Sequence, residues 1–216
     1  MDPRRTSPLA HRETLTASGG TARLSERPFH GLVALRGARR TVAAAARKAM
    51  GFALPSKAGK STRDNNKRAI WIGPDEWVLV SEPDGETGLI ENLQSALDDK
   101  HYQAVDVTDY YTTIEVGGSR ARELLAKLIT IDLHHRHFLT DDAVATNFAK
   151  ASGWLVLVES QEDGSDVFQL FVRRSMADYL WCMLAEAGRE WGLPQQIPIG
   201  KVKLHLPHFE NSSGPD

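Results

Sequence analysis

The sequence predicts an α+β fold of two lobes, each running strand–helix–strand–strand–helix, with mixed or antiparallel sheets and helices packed on one face. Three observations lead there. Short apolar runs bounded by Gly, Pro and Asn read as strands, and Thr112, Ile114 and Val116 alternating with Thr113 and Glu115 show the period of two. Longer segments repeat their apolar residues every three or four positions, the period of a helix buried on one side. The order of these patterns in the first half then recurs in the second, and strands joined by both hairpins and helical crossovers fit no all-parallel sheet.

Residues 1–27 are rich in Arg, Ser, Thr and Gly without a hydrophobic period, so they are expected to form a flexible arm with no core of its own. The first lobe, 28–108, opens with Leu32–Leu35 as a strand. Thr41 is placed to cap a helix with Val42, Ala45, Ala46 and Ala49 on one face. SKAGKSTRDNNKR, 56–68, reads as a basic loop without an apolar anchor, expected to be mobile. IWIGPDEWVLV, 70–80, is a hairpin, followed by a helix burying Leu89, Ile90, Leu93 and Leu97 and a strand around Val105 and Val107.

The second lobe, 109–208, starts with the strand at 112–116. Gly117-Gly118-Ser119 leads into a helix with Ala121, Leu124, Leu125 and Leu128 inward. WLVLV, 154–158, is apolar at every position and reads as a central strand covered on both faces. SQEDGSD turns it back into 167–172. Ser175 is placed to cap a last helix with Met176, Tyr179, Leu180, Met183, Leu184 and Ala187 inward. Residues 209–216 are expected to be a flexible tail.

The net charge of −2 conceals an asymmetry: residues 1–68 carry 15 Lys/Arg against 4 Asp/Glu, and 69–216 carry 11 against 24. Few aromatics interleave with the basic third, which argues against nucleic acid. The two blocks complement each other or an acidic partner surface. The single cysteine, Cys182, allows no internal disulfide and points to a reducing cytosol. No apolar run reaches the roughly 18 residues of a membrane helix, and Arg4-Arg5 lack the apolar stretch of a twin-arginine signal.

Each reactive-looking group has a plainer reading. Asp75 and Glu76 in GPDE sit beside Gly and Pro, and no second carboxylate pair at fixed distance marks them as acid and base; turn chemistry is the better account. AGKST, 58–62, lacks the earlier glycine of a phosphate loop, since position 54 is Leu54. His134, His135 and His137, with Asp132, Asp141 and Asp142 nearby, have no cysteine or paired carboxylate to complete a zinc sphere, so a solvated loop is preferred to a metal site. Cys182 has no lysine or histidine close in sequence to activate it. No catalytic, cofactor-binding or metal residue is assigned.

The ordered set SPLA (7–10), IWIGPDEWVLV (70–80), VDVTDYYTTIEVGGSRARELLAKLITIDLHHRHF (105–138), WLVLV (154–158) and RRSMADYLWCMLAEAGREWGL (173–193) resembles the gamma subunit family of heterotetrameric sarcosine oxidase. The resemblance spans nearly the whole chain except the basic loop and the tail. That family is similar in fold to aminomethyltransferase, the glycine-cleavage T-protein, which implies a T-protein-like folate-binding fold. It also implies a cytoplasmic complex of alpha, beta, gamma and delta subunits that demethylates sarcosine oxidatively to glycine. The one-carbon unit passes to tetrahydrofolate or leaves as formaldehyde, and hydrogen peroxide forms. FAD, FMN, NAD, tetrahydrofolate and zinc are implied for the partner subunits, with flavin in beta, NAD and folate in alpha, and zinc in delta. The gamma chain is implied to be non-catalytic and without a cofactor.

T-protein-like domains acting on folate carry an acidic pair just after a glycine-bearing strand start. The matching stretch here, Ser152-Gly153-Trp154-Leu155-Val156-Leu157, holds aliphatic residues instead, which cannot exchange a proton with a folate nitrogen. Two other readings stay open: a free-standing folate-binding, one-carbon transfer protein, and the same subunit role in a related secondary-amine demethylase, such as one acting on N-methylglutamate.

Overall fold

Apolar runs buried on both faces need a layer above and a layer below, and the chain supplies both by stacking two sheets between helices. The computed structural model describes residues 5–199. Its first sheet has the order β4 (Ser61–Asp64), β5 (Lys67–Gly73), β6 (Glu76–Ser81), β3 (Gly31–Arg36), β7 (Gln103–Asp106). Its second has the order β1 (Leu15–Thr16), β2 (Arg23–Arg27), β8 (Tyr111–Gly118), β11 (Asp166–Arg173), β10 (Ala151–Ser160), β9 (Ala143–Phe148). Every pairing within these sheets is antiparallel.

Helices α1 (Arg39–Met50) and α2 (Glu86–Ala96) bury Val42, Ala46, Leu89 and Leu93 against Val33, Leu35, Trp77 and Leu79 of the first sheet. Helices α3 (Ala121–Ala126) and α4 (Arg174–Ala187) bury Leu124, Leu125, Leu180 and Trp181 against Ile114, Val116, Leu155 and Leu170 of the second. A third apolar layer joins the inner faces: Leu32, Ile70, Val78 and Val80 meet Val156, Val158 and Phe171. WLVLV is apolar throughout because Leu155 and Leu157 face the helices while Val156 and Val158 face the other sheet.

The internal duplication is deeper than the expected pattern. Each repeat runs strand, strand, helix, three-stranded meander, helix. The leading strand of each sits on the other's sheet: β2 pairs with β8, and β7 with β3. The arm expected at 1–27 is therefore corrected over its described part. Leu9, Leu15, Ala17, Ala22 and Leu24 are buried in the second core, and β2 adds five residues to its sheet. RLSER carries one large apolar residue, and its pairing partner lies about ninety residues away, so no local period announces it. The tail at 209–216 lies outside the described residues.

Four further corrections follow from the structure. The basic stretch 56–68 is not a loose loop. Ser61–Asp64 and Lys67 onward form a hairpin whose two-residue turn is Asn65-Asn66, with Asn65 at φ 50°, a conformation asparagine tolerates. Neither Thr41 nor Ser175 caps a helix. The first amides of α1 and α4 are instead met from distant segments, Arg39 N–H by the Asp75 carboxylate at 3.3 Å and Arg174 N–H by the Tyr110 carbonyl at 3.1 Å. The buried face of α4 is turned from the expected one, toward Ala177, Leu180, Trp181, Leu184 and Ala185, leaving Met176, Tyr179 and Met183 at its margin. On β7, Ala104 faces the core and Val105 faces out.

Candidate functional site

Opposite charges separated along a chain gain most by meeting in the fold, and here they do. Cations of the first third pair with carboxylates from further along: Arg5 with Asp109, Arg12 with Asp178, Arg27 with Glu115, Arg36 with Glu76, Lys60 with Asp142 and Arg68 with Asp141. Part of the charge asymmetry of the sequence is thus intramolecular complementarity. Arg68 is the most enclosed of them, its side chain 7% exposed and 2.7 Å from Asp141. Burial lowers its pKa, and the hydrogen bond and charge of Asp141 oppose that shift. Asp141 also accepts Ser61 N–H on its carbonyl at 2.7 Å, so the β4–β5 hairpin is fastened to the second sheet by backbone and side chain together.

Beside this clamp a cleft of 740 Å³ opens between the sheets, with a Val80, Val158 and Val167 floor and Arg23, Lys67 and Arg27 on its rim. His30 lines the same cleft, and its Nδ1 is buried without a hydrogen-bond partner among the described residues. Burial first, and the Arg27 charge second, lower the His30 pKa below the usual imidazole value, so the ring is neutral at pH 7. Glu82, Glu115 and Glu159 share the lining, so the cleft is mixed in sign rather than a pure anion trap.

The GPDE stretch is the tip of the β5–β6 hairpin, Gly73 pairing with Glu76 across Pro74-Asp75. Its carboxylates are already engaged: Asp75 receives the first amide of α1, and Glu76 lies 3.2 Å from Arg36. Trp77 and Trp71 are direct cross-strand neighbours on the helix-covered face, Trp77 2% exposed with its indole N–H donating to Pro55 O at 3.3 Å. The polar groups of AGKST are likewise spoken for. Lys60 pairs with Asp142, Ser61 Oγ donates to Asp141 O at 3.0 Å, and Thr62 Oγ1 donates to Ala53 O at 2.7 Å.

The histidines stack on one another, His134 and His135 with ring centres 4.1 Å apart, and Asp132 accepts His134 N–H at 2.8 Å. No group of three or more His, Cys, Asp or Glu side chains placed to hold a metal ion occurs among the described residues. Arg122 ties this segment down, donating to the Leu133 and Phe138 carbonyls while gripping Asp166 with two nitrogens at 2.5 and 3.2 Å. Cys182 is buried, and burial raises its thiol pKa, Asp178 adding and Arg12 opposing. Arg12, 3.4 Å from the sulfur, is a basic neighbour that no reading of nearby sequence would find. On β10, the stretch matched to the folate acidic pair is core. Leu155, Val156 and Leu157 are fully buried, and a Cβ at Gly153 would lie 2.1 Å from Phe171 O.

A model of the sarcosine oxidase gamma subunit family matches residues 36–190. The sarcosine oxidase gamma subunit of an Arthrobacter species is 33% identical over 150 residues, 67% of this chain and 73% of that protein. That of Corynebacterium sp. (strain U-96) is 30% identical over 149 residues, 68% of this chain and 69% of that protein. Among solved structures, the heterotetrameric sarcosine oxidase from Corynebacterium sp. U-96 in complex with pyrrole 2-carboxylate contains a chain that superposes with a TM-score of 0.78 at 26% identity, over 89% of this chain and 99% of that one. The glycine cleavage system aminomethyltransferase T from Bartonella henselae superposes with a TM-score of 0.61 at 16% identity, over 86% of this chain and 58% of that one, a likeness of fold alone.

Proposed function

The chain belongs to the sarcosine oxidase gamma subunit family, and we propose that it serves as the non-catalytic gamma subunit of a heterotetrameric oxidase that demethylates sarcosine. The observation that carries this reading is the match of fold and sequence over nearly all of one chain of a heterotetrameric sarcosine oxidase. In this reading the partners are the alpha, beta and delta subunits. FAD, FMN, NAD, tetrahydrofolate and zinc reside in them, the one-carbon unit goes to tetrahydrofolate or formaldehyde, and the complex works in the cytoplasm. No helix among the described residues is long and apolar enough to cross a membrane.

The chemistry of the chain's own groups supports a scaffold role. Asp75 and Glu76 are tied to a helix start and to Arg36, and the Cys182 thiol is held protonated by burial. The strand matched to the folate acidic pair spends its side chains on packing between layers.

The test is direct. The purified chain alone is expected to show no flavin absorbance, no sarcosine-dependent oxygen uptake and no tight binding of tetrahydrofolate. Turnover by the isolated chain overturns the non-catalytic role, and tight folate binding favours a one-carbon transfer protein instead.

A further inference from the structure

Sheet edges are sticky, and folded chains blunt them with charge, proline or brevity. Three of the four edges here follow that rule: β1 has two residues, β4 carries Arg63 and Asp64, and β7 ends on Asp106. The fourth does not. β9, Ala143–Phe148, reads AVATNF, with neither charge nor proline over six residues. Its two ends are already paired outward, Ala143 N–H donating to Gly59 O at 3.0 Å and Ala149 N–H to Leu128 O at 2.7 Å. Backbone alternation then turns the peptide groups of Ala145 and Asn147 outward as well. Between the two occupied ends lies an open slot of about four residues.

The slot borders an aromatic ledge on the inter-sheet face. Asn147 pairs with Ser152, and Ala145 lies opposite Trp154. Trp154 packs on Tyr111 at 4.8 Å, and Tyr111 on Tyr110 at 4.7 Å. Tyr110 is 48% exposed, unusual for a side chain of that size beside a core. A cavity of 370 Å³ runs from Ala145 and Asn147 past Trp154 and Tyr111 to Arg173. Arg173 lies over the Tyr110 ring at 5.3 Å and has no carboxylate partner among the described residues. Tyrosine, tryptophan and arginine around a pocket are the composition from which binding hot spots are built.

We propose that β9 is a docking edge, where an extended segment of a partner subunit adds as a further strand. Its backbone pairs with Ala145 and Asn147, and one acidic side chain enters the cavity over Trp154 toward Arg173. Main-chain hydrogen bonds hold such a strand, and the pocket for its alternate side chain selects it. The uncharged edge supplies the first element, and Arg173, without a carboxylate partner among the described residues, sets the sign of the second. This inference rests on the gamma subunit reading and names where that subunit is held.

The test uses the full chain and the alpha–beta–delta subcomplex of its oxidase, expressed without it. Asn147→Pro removes one outward N–H and leaves the ladder to β10 intact, as proline does on an edge. It is expected to weaken assembly tenfold or more with an unchanged melting temperature, and Arg173→Gln to weaken it several-fold. Hydrogen exchange on the wild-type chain needs no variant: the Ala145 and Asn147 amides are expected to slow at least tenfold in the complex. Wild-type assembly by folded Asn147→Pro, or amides that exchange equally fast free and bound, overturns the docking edge while the subunit reading stands. Failure of the wild-type chain to bind the subcomplex at all overturns both.

Discussion

Replacing Trp77 by alanine is expected to lower folding stability by about 3–5 kcal/mol, the usual cost of deleting a fully buried large aromatic. Trp77 is 2% exposed, faces Trp71 across the hairpin and lies among Leu35, Val42, Leu79 and Leu93 in the first helix-covered core. The neighbouring carboxylates give the contrast. Asp75→Asn with Glu76→Gln keeps a residue that tolerates the left-handed φ of 58° at position 75, and it removes only surface charge. That double change is expected to shift stability by no more than about 1 kcal/mol and to leave turnover of the assembled enzyme within a few-fold. Urea denaturation separates the two. An unchanged midpoint for Trp77→Ala contradicts its place in the core, and collapsed turnover in an intact complex of the double mutant makes the turn chemical.

Asp166→Ala is expected to cost a similar amount, about 3–5 kcal/mol, because it leaves a buried guanidinium without its counter-charge. The Arg122 and Asp166 side chains are 15% and 6% exposed, and Arg122 leans over the Phe168 ring at 5.5 Å. The same guanidinium holds the Leu133 and Phe138 carbonyls, so its loss also frees the histidine-bearing segment from β11. Arg122→Met in the Asp166→Ala background is expected to recover only part of the loss, since removing both charges ends the desolvation of either while the bonds to the Leu133 and Phe138 carbonyls are given up. A double mutant as unstable as the sum of the singles shows that the two side chains do not act as a pair.

The sequence carried the layers better than the edges. Leu32–Leu35, 70–80, 154–158 and 167–172 are central strands, apolar because both faces are covered, and they are visible without a structure. β4 and β9 show no such run because an edge strand buries one face and pairs on one side, and β2, although inside its sheet, buries only Leu24 and Ser25. SER, STRD and ATN are polar enough to pass for loop. The turn in DNNK was the available signal for the β4–β5 hairpin, two asparagines between short alternating flanks. The helix starts misled for a different reason. Thr41 and Ser175 are suitable caps by type, but Asp75 and the Tyr110 carbonyl arrive from elsewhere in the fold and displace them. Charge asymmetry is legible as a count, whereas its partners, from Glu76 to Asp178, are a property of the fold. The β9 ledge was not legible at all, since it joins residues 110, 145, 154 and 173 on one face.

The subunit role itself is tested most directly by recovering the chain from the cells that make it. With an affinity tag on this chain, purification under native conditions and identification of every co-eluting protein give its assembly state in one measurement. The account predicts a heterotetramer containing the chain in equal amount with the alpha, beta and delta subunits, carrying flavin and oxidising sarcosine. A chain that elutes alone, or in a complex that carries no flavin and does not oxidise sarcosine, contradicts it.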